Sequence, residues 1–473
     1  VHIRDRLHRP CAATAAALLL TVSSLVGGPG SPAAATTPPH IDPGALIRSA
    51  PRAPLQPTEQ RHFCTSGTIT RPVAEPGAAQ AMMNLPQAWR FSRGAGQRVA
   101  VIDTGVSPHP RLGRVVAGGD YVSTGTGLED CDAHGTLVAG IIAARPSADD
   151  GFAGVAPDST IIAIRQSSGA FAARVDRRTT GDPDPTVGSS GYGSVRTLAH
   201  AIVHAVDDLR ATVINISLVA CSPSAAKLDD PALGAAIKHA YDRNVVVVVA
   251  AGNVEREGAC RPQNPAPAGN DPTGWRSLRT IPSPAWFAPH VLAVAAVQAP
   301  TGAPADFSLH GPWVSVAAPG TGIVSLDSRP GARGLVSAQS SPTGPLSLIG
   351  TSFAAPYVSG TVALVRARFP GLDARAVMDR IIRTAHAPGT GHDDQIGYGV
   401  IDPVAALTAV LPGSAVNPNS PRAIAAPAIE PAPDDGPRNA ALVGVAICAV
   451  VMAAALGVSY PYRRIKRLDP EDY

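Results

Sequence analysis

Five consecutive valines at 245–249, running on into Ala250 and Ala251, constrain this chain more than any other feature. Side chains branched at Cβ favour extended backbone. A run without polar alternation has no face to give to water, so it reads as a strand buried on both sides, as in parallel sheets covered by helices. Residues 99–102 (Val-Ala-Val-Ile), 213–217 (Val-Ile-Asn-Ile-Ser) and 291–297 are further short apolar runs. Leu198, Ile202, Val206 and Leu209 follow helical spacing, and residues 233–243 form a second helix ahead of the valines. Strand, helix, strand in repetition predicts one α/β domain with a mainly parallel sheet and crossover helices over residues 85–411.

The flanks follow other rules. Arg4, Arg6 and Arg9 precede an apolar stretch at 11–26 and small residues at 33–35, which predicts a signal peptide over 1–35. An uncleaved anchor is the competing reading, but the stretch falls short of the ~20 residues a span needs. Residues 36–84 are rich in Pro and lack any period, so they read as an extended arm with at most a short hairpin around 64–70. Seven prolines among the 28 residues 412–439 predict a semi-rigid stalk. Residues 440–460 are 21 positions without a charge, the length of one transmembrane helix in the lipid bilayer. A buried core helix is disfavoured there, because only thirteen residues follow. Arg463, Arg464, Lys466 and Arg467 make 461–473 a cytoplasmic basic tail, with the domain on the extracytoplasmic side of the cell membrane.

Composition narrows the function classes. With 46 Gly and 47 Pro in 473 residues, the composition argues against coiled coil and solenoid. The 39 basic and 36 acidic side chains are spread without a basic stripe, which argues against a nucleic-acid partner. Outside the signal and the span, Cys64, Cys131, Cys221 and Cys260 form an even, exported set, so two disulfides are expected, with three connectivities open. Their spacing suits no metal, and no cofactor motif is present. Asp149-Asp150 reads as a polar turn, and residues 165–194 as a long polar loop.

Three side chains with nucleophilic chemistry sit at the mouths of elements. Asp103 ends the strand Val-Ala-Val-Ile ahead of Thr104-Gly105; His134 precedes an apolar helical run in Asp-Ala-His-Gly-Thr-Leu-Val-Ala-Gly; Ser352 opens a helix in Gly-Thr-Ser-Phe-Ala-Ala-Pro. Any one of them alone is an ordinary cap or loop residue. Together, in the order Asp, His, Ser, they follow the subtilisin arrangement and neither the chymotrypsin nor the α/β-hydrolase order. Asn253 lies at the end of the valine strand, where an oxyanion donor is needed.

On these blocks the chain resembles the subtilase family. Its layout of signal, Cys-bearing arm, protease domain, Pro-rich stalk, single span and basic tail resembles the mycosins, membrane-anchored subtilases of mycobacterial type VII secretion systems. The resemblance implies a subtilisin-like three-layer fold and a serine endopeptidase in which Ser352 is nucleophile, His134 base, Asp103 its partner and Asn253 an oxyanion donor. It further implies the pairs Cys64–Cys131 and Cys221–Cys260, and an extended substrate flanked by Ser217, Leu218, Val219 and the stretch around Gly191. The implied partners are a secreted polypeptide and a membrane-embedded secretion complex. Many subtilases have Gly where Val219 stands, so a small residue is expected before the scissile bond. The 49-residue arm is shorter than a usual inhibitory propeptide and is expected to stay attached. A structural role in the secretion complex is the alternative function; an esterase lacks its Gly-x-Ser-x-Gly elbow.

Overall fold

The valines lie inside a seven-stranded, all-parallel sheet. The computed structural model describes residues 36–69, 75–174, 191–223, 228, 230–255, 259–269, 271–341 and 343–411, and a terminal helix, Gly436–Ile465, whose side chains are described over 440–456. The strands are β1 (Arg98–Asp103), β2 (Val115–Asp120), β3 (Thr160–Arg165), β4 (Val213–Ile216), β5 (Val246–Ala250), β6 (Leu292–Val297) and β7 (Val314–Pro319). Their spatial order is β7-β6-β5-β4-β1-β3-β2, with every neighbouring pair parallel. The main helices are α1 (His134–Ala143), α2 (Val195–Asp207), α3 (Pro231–Asp242) and α4 (Thr351–Arg368).

Successive side chains of a strand point to opposite faces, and this divides the valines between two cores. Val246 and Val248 join Val99, Val101, Ile161 and Val294 under α1 and α4. Val245, Val247 and Val249 join Ile102, Ile164, Ile214 and Ile216 under α2 and α3. The result is three layers, helices on both faces of the sheet, as the subtilase resemblance implies. Helix α4 is buried almost all round from Thr351 to Val365, the condition of a helix enclosed by its own domain.

The arm differs from the sequence expectation. Instead of a local hairpin, its two short strands pair with distant parts of the domain. Thr58–Gln60 runs antiparallel to Phe171–Ala173, and Gly67–Thr68 adds to Ala338–Gln339, which pairs in turn with Leu346–Ser347. Phe171–Ala173 also shows that the long polar loop is structured at its start. Strands of two or three residues carry no alternation, so their partners could not be read locally.

The signal peptide at 1–35, the stalk over 412–435, the tail over 466–473 and the loop over 175–190 lie outside the described residues. The terminal helix runs for 30 residues and belongs to a second unit, Asn419–Tyr473. Among the described residues no helix is long and apolar enough to cross a membrane; the described side chains end at 456, short of the expected 460.

Candidate active site

Strand β1 ends at Asp103, whose side chain is fully buried, and α1 begins at His134, which follows Ala133 in a left-handed conformation (φ 66°). The imidazole Nδ1 and Asp103 Oδ1 are 2.7 Å apart, and the Thr104 N–H donates to the same oxygen at 2.8 Å. A Cβ on Gly135 would stand 2.0 Å from Gly105 O, so only glycine lets α1 start this close to the turn after β1. Burial alone would lower the imidazole pKa. The charge and hydrogen bond of Asp103, with Asp130 and Asp132 nearby, outweigh that effect and raise it above the ordinary 6.5. An imidazole of ordinary pKa would bring activity up near pH 6.5; here that rise lies higher.

Sequence reasoning missed a third carboxylate, Asp130. Its Oδ1 accepts from Thr104 Oγ1 at 2.8 Å, and its Oδ2 accepts from the N–H and hydroxyl of Thr136 at 2.8 and 2.6 Å. Thr104 Oγ1 in turn accepts the Gly135 N–H at 2.9 Å. These bonds join the residue after Asp103 to the residues after His134, so Asp130 fixes the end of β1 against the first turn of α1. Burial pushes its carboxyl up to about 7, against the hydrogen bonds from Thr136 and Thr104. Its only sequence signal is a carboxylate four positions before His134.

Ser352 lies in the first turn of α4, after Gly350 at φ 152°. A Cβ on Gly350 would stand 3.0 Å from Ser352 Oγ and 3.3 Å from Asn253 Nδ2, so both polar atoms border one small space. Asn253 is oriented by Thr351, whose N–H and hydroxyl donate to Asn253 Oδ1 at 2.9 and 3.0 Å; the amide Nδ2 is thereby turned to the site. The next residue, Phe353, packs its ring 5.2 Å from the His134 ring, bringing the two halves of the site together. Ser352 Oγ makes no hydrogen bond to His134 among the described residues, as is common before substrate tightens such a pair.

Pro356 explains how Ser217 is used. A helical proline has no N–H to give to the carbonyl four residues earlier, here that of Ser352. The Ser217 hydroxyl donates to Ser352 O instead, at 2.8 Å, and is itself held by Asn215 Nδ2 at 2.9 Å, while Ser359 Oγ donates to Asn215 Oδ1 at 2.8 Å. Ser217 is therefore tied to the backbone of Ser352. Leu218 and Val219 line a cleft together with Gly191 and Tyr192.

The remaining expected residues have plain surroundings. Cys64 is bonded to Cys131, beside Asp130, and Cys221 to Cys260. Asp150 pairs with Arg111 at 2.8 Å and accepts the Phe152 N–H at 2.9 Å, a structural turn. Among the described residues no group of three or more His, Cys, Asp or Glu side chains could hold a metal.

Comparison with known proteins gives a consistent picture. Residues 94–399 match the family model of the subtilase family. Mycosin-1 of Mycobacterium tuberculosis is 46% identical over 468 residues, covering 97% of this chain and 99% of the relative. The crystal structure of MycP1 from Mycobacterium smegmatis is 45% identical, covers 80% of this chain and 96% of its own, and superposes with a TM-score of 0.73. A chain in the structure of an intact ESX-5 inner membrane complex is 43% identical, with coverages of 90% and 100% and a TM-score of 0.75.

Proposed function

We propose, from the premise that this chain belongs to the subtilase family and within it to the mycosins, that Asp103, His134, Ser352 and Asn253 carry out its peptide hydrolysis. It is a subtilisin-like serine endopeptidase. Ser352 Oγ attacks the scissile carbonyl while His134 takes the hydroxyl proton and then delivers it to the leaving amine; water, deprotonated by the same imidazole, releases the acyl group. Asp103 holds the tautomer and stabilises the imidazolium. The oxyanion is met by Asn253 Nδ2 and the Ser352 N–H at the start of α4. The observation that carries this reading is the convergence of Ser352 Oγ and Asn253 Nδ2 on the space beside Gly350.

The substrate is a secreted polypeptide with a small residue before the scissile bond, since the cleft wall carries Val219 where many subtilases have Gly. Reaction with fluorophosphonate tests the assignment: wild-type protein is labelled at Ser352, and labelling that persists in Ser352→Ala overturns it.

The place of work is proposed to be the extracytoplasmic face of the cell membrane, within a type VII secretion complex. Likeness to a chain of the ESX-5 inner membrane complex supports this. So does the sequence of residues 440–460, 21 positions without a charge, about 30 Å of helix at 1.5 Å per residue. Its described side chains, among them Leu442, Val445, Ile447 and Val451, are exposed as a lipid-facing surface requires. The signal peptide at 1–35 and the cytoplasmic basic tail complete the topology. The same likeness favours a second reading, a structural role in the complex. Secretion in a Ser352→Ala strain compared with a deletion strain separates the two roles.

A further inference from the structure

The arm reaches the substrate cleft. After Gln60, the N–H groups of Arg61 and His62 both donate to Ala170 O, at 2.8 and 3.2 Å. Cys64 is bonded to Cys131, and the Thr65 N–H donates to Cys131 O at 2.7 Å. Phe63 is thus fastened on both sides, yet its ring is 99% exposed. A single exposed aromatic is ordinary; its surroundings are what distinguish this one. A cavity of about 470 Å³ is lined by His62, Phe63 and Thr65 of the arm and by Asp132, Gly169, Ala170 and Gly191 of the domain. Gly169 and Gly191 also line the cleft that holds Leu218 and Val219, so the two spaces share a wall. That wall is thin because Gly191, at φ 132°, lies where a Cβ would come within 2.4 Å of Ser168 O, and Ser168 and Tyr192 exchange backbone hydrogen bonds of 2.8 Å.

We propose that the arm builds an accessory subsite on the substrate cleft, in which Phe63 receives an apolar side chain of the extended polypeptide several residues before the scissile bond. The proposal rests on the endopeptidase reading. Continuity of the arm-lined cavity with the Leu218–Val219 wall determines the occupant: a chain lying along that wall and extending past Gly191 meets the arm next. A preorganised, already exposed ring adds contact without a large ordering cost. Burying most of one apolar side chain against it corresponds to about a tenfold gain in affinity.

The test compares two peptides cut by the full-length protein, one with three residues before the scissile bond and one with ten, carrying leucines in the distal positions. Phe63→Ser should lower the ratio of kcat/KM for the long over the short peptide about tenfold, through KM, and Phe63→Leu should restore most of it. A ratio unchanged by Phe63→Ser, or both peptides falling together, overturns the accessory subsite. Fluorophosphonate labelling of wild-type Ser352 in the same preparation reports on the endopeptidase reading separately.

Discussion

The two halves of the site are held by different forces. Around His134 the fastening is electrostatic: a buried Asp103 oxygen 2.7 Å from Nδ1, Asp130 behind it, and Asp132 bound to Ser168 Oγ at 2.5 Å and the Gly169 N–H at 2.8 Å. Around Ser352 it is neutral: Thr351 on Asn253, Ser217 on the Ser352 carbonyl, and Ser359 on Asn215. Charges in a poorly polarisable interior interact strongly, and their balance shifts as protons come and go. Neutral hydrogen bonds are indifferent to pH but intolerant of misplaced atoms. The histidine half should therefore respond to acidity, and the serine half to shape.

The largest effect tests the serine half. Asn253→Ala removes the amide proposed to meet the oxyanion and is expected to lower kcat by about 10²–10³, by the same factor at pH 6 and pH 8; a loss that grows or fades with pH would break the contrast. Gly350→Ala should cost about 10² in kcat, because its methyl enters the space between Ser352 Oγ and Asn253 Nδ2 at a φ that L-residues avoid. Long and short peptide substrates would be affected alike.

Smaller effects mark the histidine half. Because neighbouring carboxylates raise the His134 pKa, its basic form appears at higher pH and the acid limb of kcat/KM should lie above 6.5. Asp130→Asn removes a charge that is fully present only above about pH 7, so the limb should move down slightly, with a loss of less than tenfold at pH 8. Stability supplies a second reading. The Asp130 carboxyl titrates near 4 in the unfolded chain and about 7 in the folded one, so its contribution favours folding at low pH and declines as pH rises through that interval. Thermal melts should show Asp130→Asn most destabilised relative to wild type near pH 5 and less so at pH 8. Smallest in activity, Ser217→Ala leaves the Ser352 carbonyl without its donor and should cost about 1–3 kcal/mol of stability, independent of pH; a pH-dependent cost would blur the division.

How much of this was legible depended on how locally each feature is determined. Strands β1, β5 and β6 announce themselves as apolar runs, because burial on both faces leaves little room for polar positions, and β4 is interrupted only by the buried Asn215. The outer strands do not. β2 contains Gly118 and Gly119, and β7 closes on Pro319 at the other edge of the sheet. Asp103 and Asn253 were readable because each closes an apolar strand, and His134 and Ser352 because each opens an apolar helix, all four in distinctive blocks. Asp130, Thr104 and Thr136 were not: carboxylates and threonines are common in turns, and only the fold brings these three into contact. Pro356 was visible, but Ser217, which takes over the bond it cannot make, is more than a hundred residues away.

The Cys64–Cys131 bond joins residues 67 apart in the chain. A backbone cut anywhere between them severs the polypeptide without freeing either piece. Processing of the arm and its departure are therefore separate events, the second needing a reductant or a further cut. A nicked molecule would migrate as one species on a non-reducing gel and as two on a reducing one, so the processing history of this protein is recorded in its mobility only once the bond is opened.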